Sequence, residues 1–148
     1  MVPLIQVFKN NNCDISICLT GQHKEMLDQV MSFFEIKADY NLNVMKPGQD
    51  LFSITSDIIK GLKSIFDLTK PDFMFVHGDT TTCLSSSIAA FYYGIKICHI
   101  EAGLRTFNKL SPFPEEMNRV ITTRLADFHF APTETSKETL VLENVDPA

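Results

Sequence analysis

Hydrophobic and polar positions change rhythm several times along the chain. DISICLT (14–20) alternates and is rich in β-branched residues, which predicts a strand. Met26, Leu27, Val30, Met31 and Phe34 then recur at helical spacing, which predicts an amphipathic helix over 23–36. Before these, MVPLIQVFKN fits a short helix with proline in its first turn. After them, ADYNLNV reads as a short extended piece, and KPGQD, with Pro47 and Gly48, as a turn. A long amphipathic helix follows over 51–70, stopped by Pro71.

The rhythm then becomes an unbroken apolar run, DFMFVHGD, of strand length. Continuous hydrophobicity of this kind predicts a strand covered on both faces, as in a parallel sheet. TTCLSSSIAAFYYG (81–94) reads as a helix of small residues ended by Gly94. IKICHIE (95–101) is a second buried strand, and AGLRTFNKLSPF a loop. PEEMNRVITTRLA (114–126) begins with proline and two glutamates, residues that a helix N-terminus favours. DFHFAPT is a further strand and TSKETLVLENV a last helix. Strands alternating with helices imply an α/β, Rossmann-like, doubly wound parallel sheet. Such a domain usually opens with a strand and a glycine turn. This sequence opens on the helix and stops just after one, so the first strand is expected to be missing and both ends read as cut.

Composition narrows the picture. The chain has 148 residues, 45% of them hydrophobic, enough for one domain with a real core. Its net charge is −5 and its basic residues are scattered, which argues against a nucleic-acid surface. No stretch has the length of a membrane span, and the N-terminus does not read as a signal peptide. Cys13, Cys18, Cys83 and Cys98 show no CxxC spacing, and the last three sit in apolar runs. A reducing, cytoplasmic setting without disulfides is expected.

The candidate chemistry lies where the strands end. In a parallel sheet the C-terminal strand ends share one edge, and ligands bind in the crevice there. Asp79 ends one predicted strand and Glu101 the next, joined by a single right-handed crossover through 81–94. Glu115 and Glu116 follow after a loop long enough to fold back. Several carboxylates in one crevice raise some pKa values and supply a general acid or base near neutrality. His77, Arg105 and Arg119 can offset the charge, and the first amides of helix 81–94 favour a phosphate. Plainer roles stand beside these: Asp79 or Thr80 as an N-cap, Glu101 paired with Arg105, Glu115 and Glu116 as a helix start, His77 and His99 as structural histidines. Metal binding has little support, although the residues leave open a Mg²⁺ held by Asp79 and Glu101. Ser85–Ser87 lie within a helix without elbow glycines, which argues against a hydrolase nucleophile.

In order and spacing, HGDTTT, HIEAGLRT and SPFPEEMNR closely resemble the non-hydrolysing UDP-N-acetylglucosamine 2-epimerases. The flanking LTGQHKEMLDQV, ADYNLNVMKPGQ and VPLIQVF match too, so the resemblance covers essentially the whole chain. It implies one half of a GT-B type two-domain fold with the sugar nucleotide in the cleft. The implied reaction interconverts UDP-GlcNAc and UDP-ManNAc by elimination and re-addition of UDP, through a 2-acetamidoglucal. No cofactor and no metal are implied, and the full-length family is expected to be homodimeric. The product would serve surface polysaccharide synthesis. The resemblance places Asp79, Glu101 and Glu115 on the family's acidic active-site residues. It places His77, Thr80, Arg105, Glu116, Asn118 and Arg119 as substrate-binding or supporting residues. Gln22 and His23 fall on the effector site of effector-activated members. Two other effector positions hold Glu25 and Gly48 instead of glutamine and arginine, which argues against activation. The family's opening strand and second domain have no counterpart here, so the chain is expected to be a partial N-terminal domain with little or no epimerase activity by itself. The competing readings are a non-catalytic subunit-interaction module and half of a GT-B glycosyltransferase. HIEAGLRT argues against the latter.

Overall fold

A computed structural model of the chain describes residues 1–21, 24–44 and 48–146, without the side chains of 24–26 and 28. It divides into two compact units, residues 1–50 and 51–148.

In the first unit, α1 (Val2–Asn10) carries Pro3 in its first turn, where a missing N–H costs nothing. β1 (Cys18–Leu19) and β2 (Tyr40–Asn41) pair in parallel, with α2 (Lys24–Phe33) between them in sequence. The strand expected over 14–20 is thus only two residues long. Irregular pairing shortens it: the Ile17 carbonyl accepts from both Asp39 and Tyr40, and the Asp39 carboxylate takes the Ile17 N–H at 2.7 Å. Gln22 and His23, the expected effector residues, lie outside the described residues.

The second unit opens with α3 (Leu51–Thr69), whose buried stripe is Ile54, Ile58, Leu62, Ile65 and Phe66. β3 (Phe73–His77), β4 (Lys96–Ile100) and β5 (Phe128–Phe130) form a parallel sheet in that order. α4 (Thr81–Tyr93) connects β3 to β4, and α5 (Glu115–Leu125) precedes β5. α6 (Glu134–Leu142) follows. α4 packs against α3, α5, β3 and β4. Its buried residues are small (Ser85, Ser86, Ser87, Ala89, Ala90), so backbones can approach closely. Ser85 and Ser87 return their hydroxyl protons to the carbonyls of Thr81 and Cys83, one turn back.

β4 is buried as its sequence predicts, with Ile97, Cys98 and His99 enclosed. β3 departs from the expectation of two covered faces, because only Val76 is buried. Val76, His99 and His129 are in register and share one face. The opposite face carries Phe73 and Phe75, whose rings lean on Phe128 and Phe130 at centroid distances of 6.1 and 6.5 Å. Phe73, Phe128 and Phe130 remain about half exposed. An unbroken apolar run therefore records rings stacking across strands as well as burial beneath helices.

Candidate functional site

β3 and β4 end side by side. The Gly78 N–H still donates to the Ile100 carbonyl at 3.0 Å, so the ladder closes at the foot of the turn. Gly78 has φ +76°, and a Cβ there would stand 3.4 Å from Glu101 Oε2. The Glu101 carboxylate thus lies over the residue that precedes Asp79. Glu101 itself adopts φ +68°, which L-residues seldom hold. The surroundings over-determine it: the Glu101 and Ala102 N–H groups both donate to the Phe130 carbonyl, at 3.0 and 3.1 Å. Gly103, at φ +93°, has no room for a side chain, since a Cβ would fall 2.2 Å from the Ser136 carbonyl oxygen. Strain gathered in one turn beside a sheet edge is typical of a functional site.

The two carboxylates have separate partners. Asp79 Oδ2 pairs with Arg119 Nη2 at 2.8 Å, and the Asp79 carbonyl accepts from Asn118 Nδ2 at 2.8 Å. Glu101 Oε2 lies 3.3 Å from His77 Nε2, both side chains nearly half exposed. Glu115 opens α5 three and four residues before Asn118 and Arg119, so all three share the side of the helix that meets Asp79. Glu115 is half-buried, and its carboxylate has no hydrogen-bond or ion-pair partner among the described residues. Thr80 is the N-cap of α4: its hydroxyl oxygen accepts the Cys83 N–H at 3.2 Å. That bond occupies one of the amides expected to face a phosphate. The structure therefore brings His77, Asp79, Thr80, Glu101, Asn118 and Arg119 together, with Glu115 alongside.

Two expected residues turn elsewhere. Arg105 does not pair with Glu101, nor is it presented to the crevice, because its side chain is 1% exposed. Its Nε and Nη2 bind both oxygens of Glu143, at 2.7 and 2.9 Å. Nη2 also donates to Thr123 Oγ1, and Nη1 to the Leu104 carbonyl. Glu116 points inward rather than at the crevice and is 2% exposed. Its carboxylate accepts the N–H groups of Thr106 and Phe107, pinning the loop after Glu101 to α5. Successive helical residues diverge by about 100°, so Glu115 and Glu116 cannot serve the same space. Glu143 and Thr123 were invisible as site supports in the sequence. The one available signal was that α5 repeats polar residues at Glu116, Arg119 and Thr123, where an ordinary buried stripe is apolar.

Behind this sheet edge, His99 is fully buried and its Nε2 lies 2.8 Å from the Gly78 carbonyl oxygen. Burial holds this imidazole below its ordinary 6.5. Burial likewise pushes the Cys18 and Cys83 thiols up to about 11 and about 12, leaving both inert at neutral pH. Among the described residues no cluster of three His, Cys, Asp or Glu side chains is placed to hold a metal ion. No described helix is long and apolar enough to cross a membrane.

These groups make stability sensitive to acid. The hydrogen bonds from Arg105 hold Glu143 below its ordinary 4.5. His99 and Glu143 both have lowered values in the folded state, so the unfolded chain binds more protons and stability falls as pH falls. Denaturant midpoints are expected to be level between about pH 7 and 8, to decline below about 6.5 as unfolded His99 protonates, to decline again below about 4.5 through Glu143, and to decline above about 9 as the unfolded thiols of Cys18 and Cys83 ionise. His99→Gln is expected to remove the decline below about 6.5 alone; midpoints rising toward acid below about pH 7 would contradict this assignment.

The chain is of the Rossmann-like α/β class, with carboxylates at the carboxyl edge of adjacent parallel strands, the edge where folds of this class bind their ligands. The chain belongs to the UDP-N-acetylglucosamine 2-epimerase family, whose sequence profile matches residues 6–148. It is 54% identical over 146 residues to the UDP-N-acetylglucosamine 2-epimerase of Neisseria meningitidis, covering 98% of this chain and 39% of that protein. The Escherichia coli K12 enzyme of the same name is 53% identical over the same coverage. The crystal structure of the N. meningitidis UDP-GlcNAc 2-epimerase bound to UDP-GlcNAc superimposes with a TM-score of 0.95 at 53% identity, over 99% of this chain and 40% of that one. The Methanocaldococcus jannaschii UDP-GlcNAc 2-epimerase in complex with UDP-GlcNAc and UDP gives 0.90 at 32% identity, over 98% and 40%. The chain thus spans about two-fifths of the length of these relatives.

Proposed function

We propose that the whole protein interconverts UDP-GlcNAc and UDP-ManNAc and that this chain supplies the acidic face of the site. A carboxylate removes the C2 proton, the C1–O bond to UDP breaks, and a C1=C2 double bond forms. A proton then returns to the opposite face of C2 as UDP adds back to C1. Two proton-handling groups are required, one for each face of C2. The observation that carries this reading is the pairing at the sheet edge: Asp79 held by Arg119, and Glu101 held separately beside His77. Glu115 is a third candidate. The positive N-terminal end of α4 and the Arg119 guanidinium suit a departing diphosphate. Arg105 and Glu116 act in this reading as positioning residues for the loop after Glu101, without touching substrate. A soluble nucleotide-sugar substrate puts the reaction in the cytoplasm, and family resemblance supports a homodimer.

The test is incubation of the whole protein with UDP-GlcNAc in deuterated water. UDP-ManNAc carrying deuterium at C2 is expected. Product without C2 deuterium would remove the proton-transfer mechanism, and no product would remove the activity. The 148-residue chain assayed alone is expected to show little turnover, since one wall of a cleft cannot enclose the sugar.

A further inference from the structure

We infer that His99 is a positioning residue for Asp79, acting through the Gly78 carbonyl. The inference rests on the proposed use of Asp79 above, but its geometry stands by itself. A carbonyl oxygen only accepts, so the contact of 2.8 Å requires the proton on His99 Nε2. The Cys83 thiol donates to the same oxygen at 3.2 Å. One peptide plane, the one that enters Asp79, is therefore held by a side chain from β4 and another from α4. The plane that leaves Asp79 is held by Asn118 of α5, whose amide donates to the Asp79 carbonyl at 2.8 Å. Peptide units are rigid, and a residue turns only through the two dihedrals between its planes. With both planes fixed, the Asp79 backbone is immobilised although it lies in a turn outside the strand and the helix. Its carboxylate then needs only the Arg119 contact to complete its orientation.

A purely structural role explains His99 less well. The ring is wholly enclosed, yet its Nδ1 has no hydrogen-bond partner among the described residues. An apolar side chain would fill the same space without a stranded polar atom. What histidine adds there is one directed N–H at Gly78. The register pairs His99 with Val76 on one strand and His129 on the other, on the face that also carries Val76 into the core. That fixed frame lets the imidazole reach a carbonyl beyond the end of β3.

The experiment compares His99→Gln and His99→Leu in the whole protein. Glutamine keeps an amide N–H at the reach of Nε2, and leucine keeps the bulk alone. For UDP-GlcNAc, leucine is expected to lower kcat by about 10²-fold with KM nearly unchanged, the scale of a small displacement of a reacting group. Glutamine is expected to restore most of kcat. Equal loss in both variants, or full kcat in leucine with an intact thermal transition, would overturn the inference. A second arm needs no turnover. In isotope-labelled wild-type protein, the His99 ring is expected in the Nε2-protonated form, and the Asn118 side-chain amide resonance should move in His99→Leu but not in His99→Gln. A ring protonated on Nδ1 alone, or an Asn118 resonance indifferent to leucine, would overturn the clamp even if leucine impairs folding in the assay. Absence of UDP-ManNAc from wild type would instead count against the proposed activity and leave this arm to decide the clamp.

Discussion

Asp79→Asn in the whole protein is expected to reduce epimerisation of UDP-GlcNAc by about 10²–10⁴-fold, the usual contribution of a positioned proton-transfer group. The amide has nearly the shape of the carboxylate, so the turn and the Asn118 contact to the backbone should survive. What disappears is a group able to take or give a proton, and the ion pair with Arg119 at 2.8 Å. Loss of the ion pair alone would act mainly on nucleotide binding and hence on KM. Loss of proton transfer acts on kcat and on deuterium entry at C2. The expected result is a collapse of kcat and of deuterium exchange in parallel. Exchange retained within about threefold of wild type would move the proton-handling role to Glu101 or Glu115.

Arg105→Leu is expected to destabilise the chain by about 3 kcal/mol. That is the low end of the cost of removing one partner from a buried pair, since Glu143 keeps a fifth of its side chain in solvent. The bidentate contact, the Thr123 hydroxyl and the Leu104 carbonyl all lose their donor at once. Arg124, whose Nη2 is 4.0 Å from Glu143 and more than half exposed, is a weak substitute. Against a typical domain stability of about 5–15 kcal/mol the loss is large. Urea midpoints would measure it, and Arg105→Leu with Glu143→Leu should recover part of it because no buried charge then stands alone. A shift under about 1 kcal/mol would mean that the pair behaves as a surface bridge.

The helices α3, α4 and α5 were legible because each carries its own evidence: an apolar stripe at helical spacing, a terminating glycine, a proline at the start. The neighbourhood of Asp79 and Glu101 was legible for a related reason. A strand, a crossover helix and a second parallel strand admit essentially one handedness, so two strand-end residues must share an edge. Partner choice was not legible. Arg105 is four residues from Glu101 in sequence, yet its carboxylate partner, Glu143, is 38 residues away. The half-open face of β3 was not legible, because aromatic rings stacked across strands give the same apolar run as a strand covered on both sides.

By itself, then, the sequence determined the alternation of strands and helices, the family, and the edge at which the acidic residues stand. Those follow from local periodicity and chain connectivity, which act over a turn of helix or one crossover. Only the tertiary structure decided which charges meet. It turned Glu116 inward, locked Arg105 to Glu143, and brought His99 and Cys83 to one carbonyl. Such contacts depend on side-chain directions at the meeting of separate elements, and no pattern along the chain encodes a direction in space.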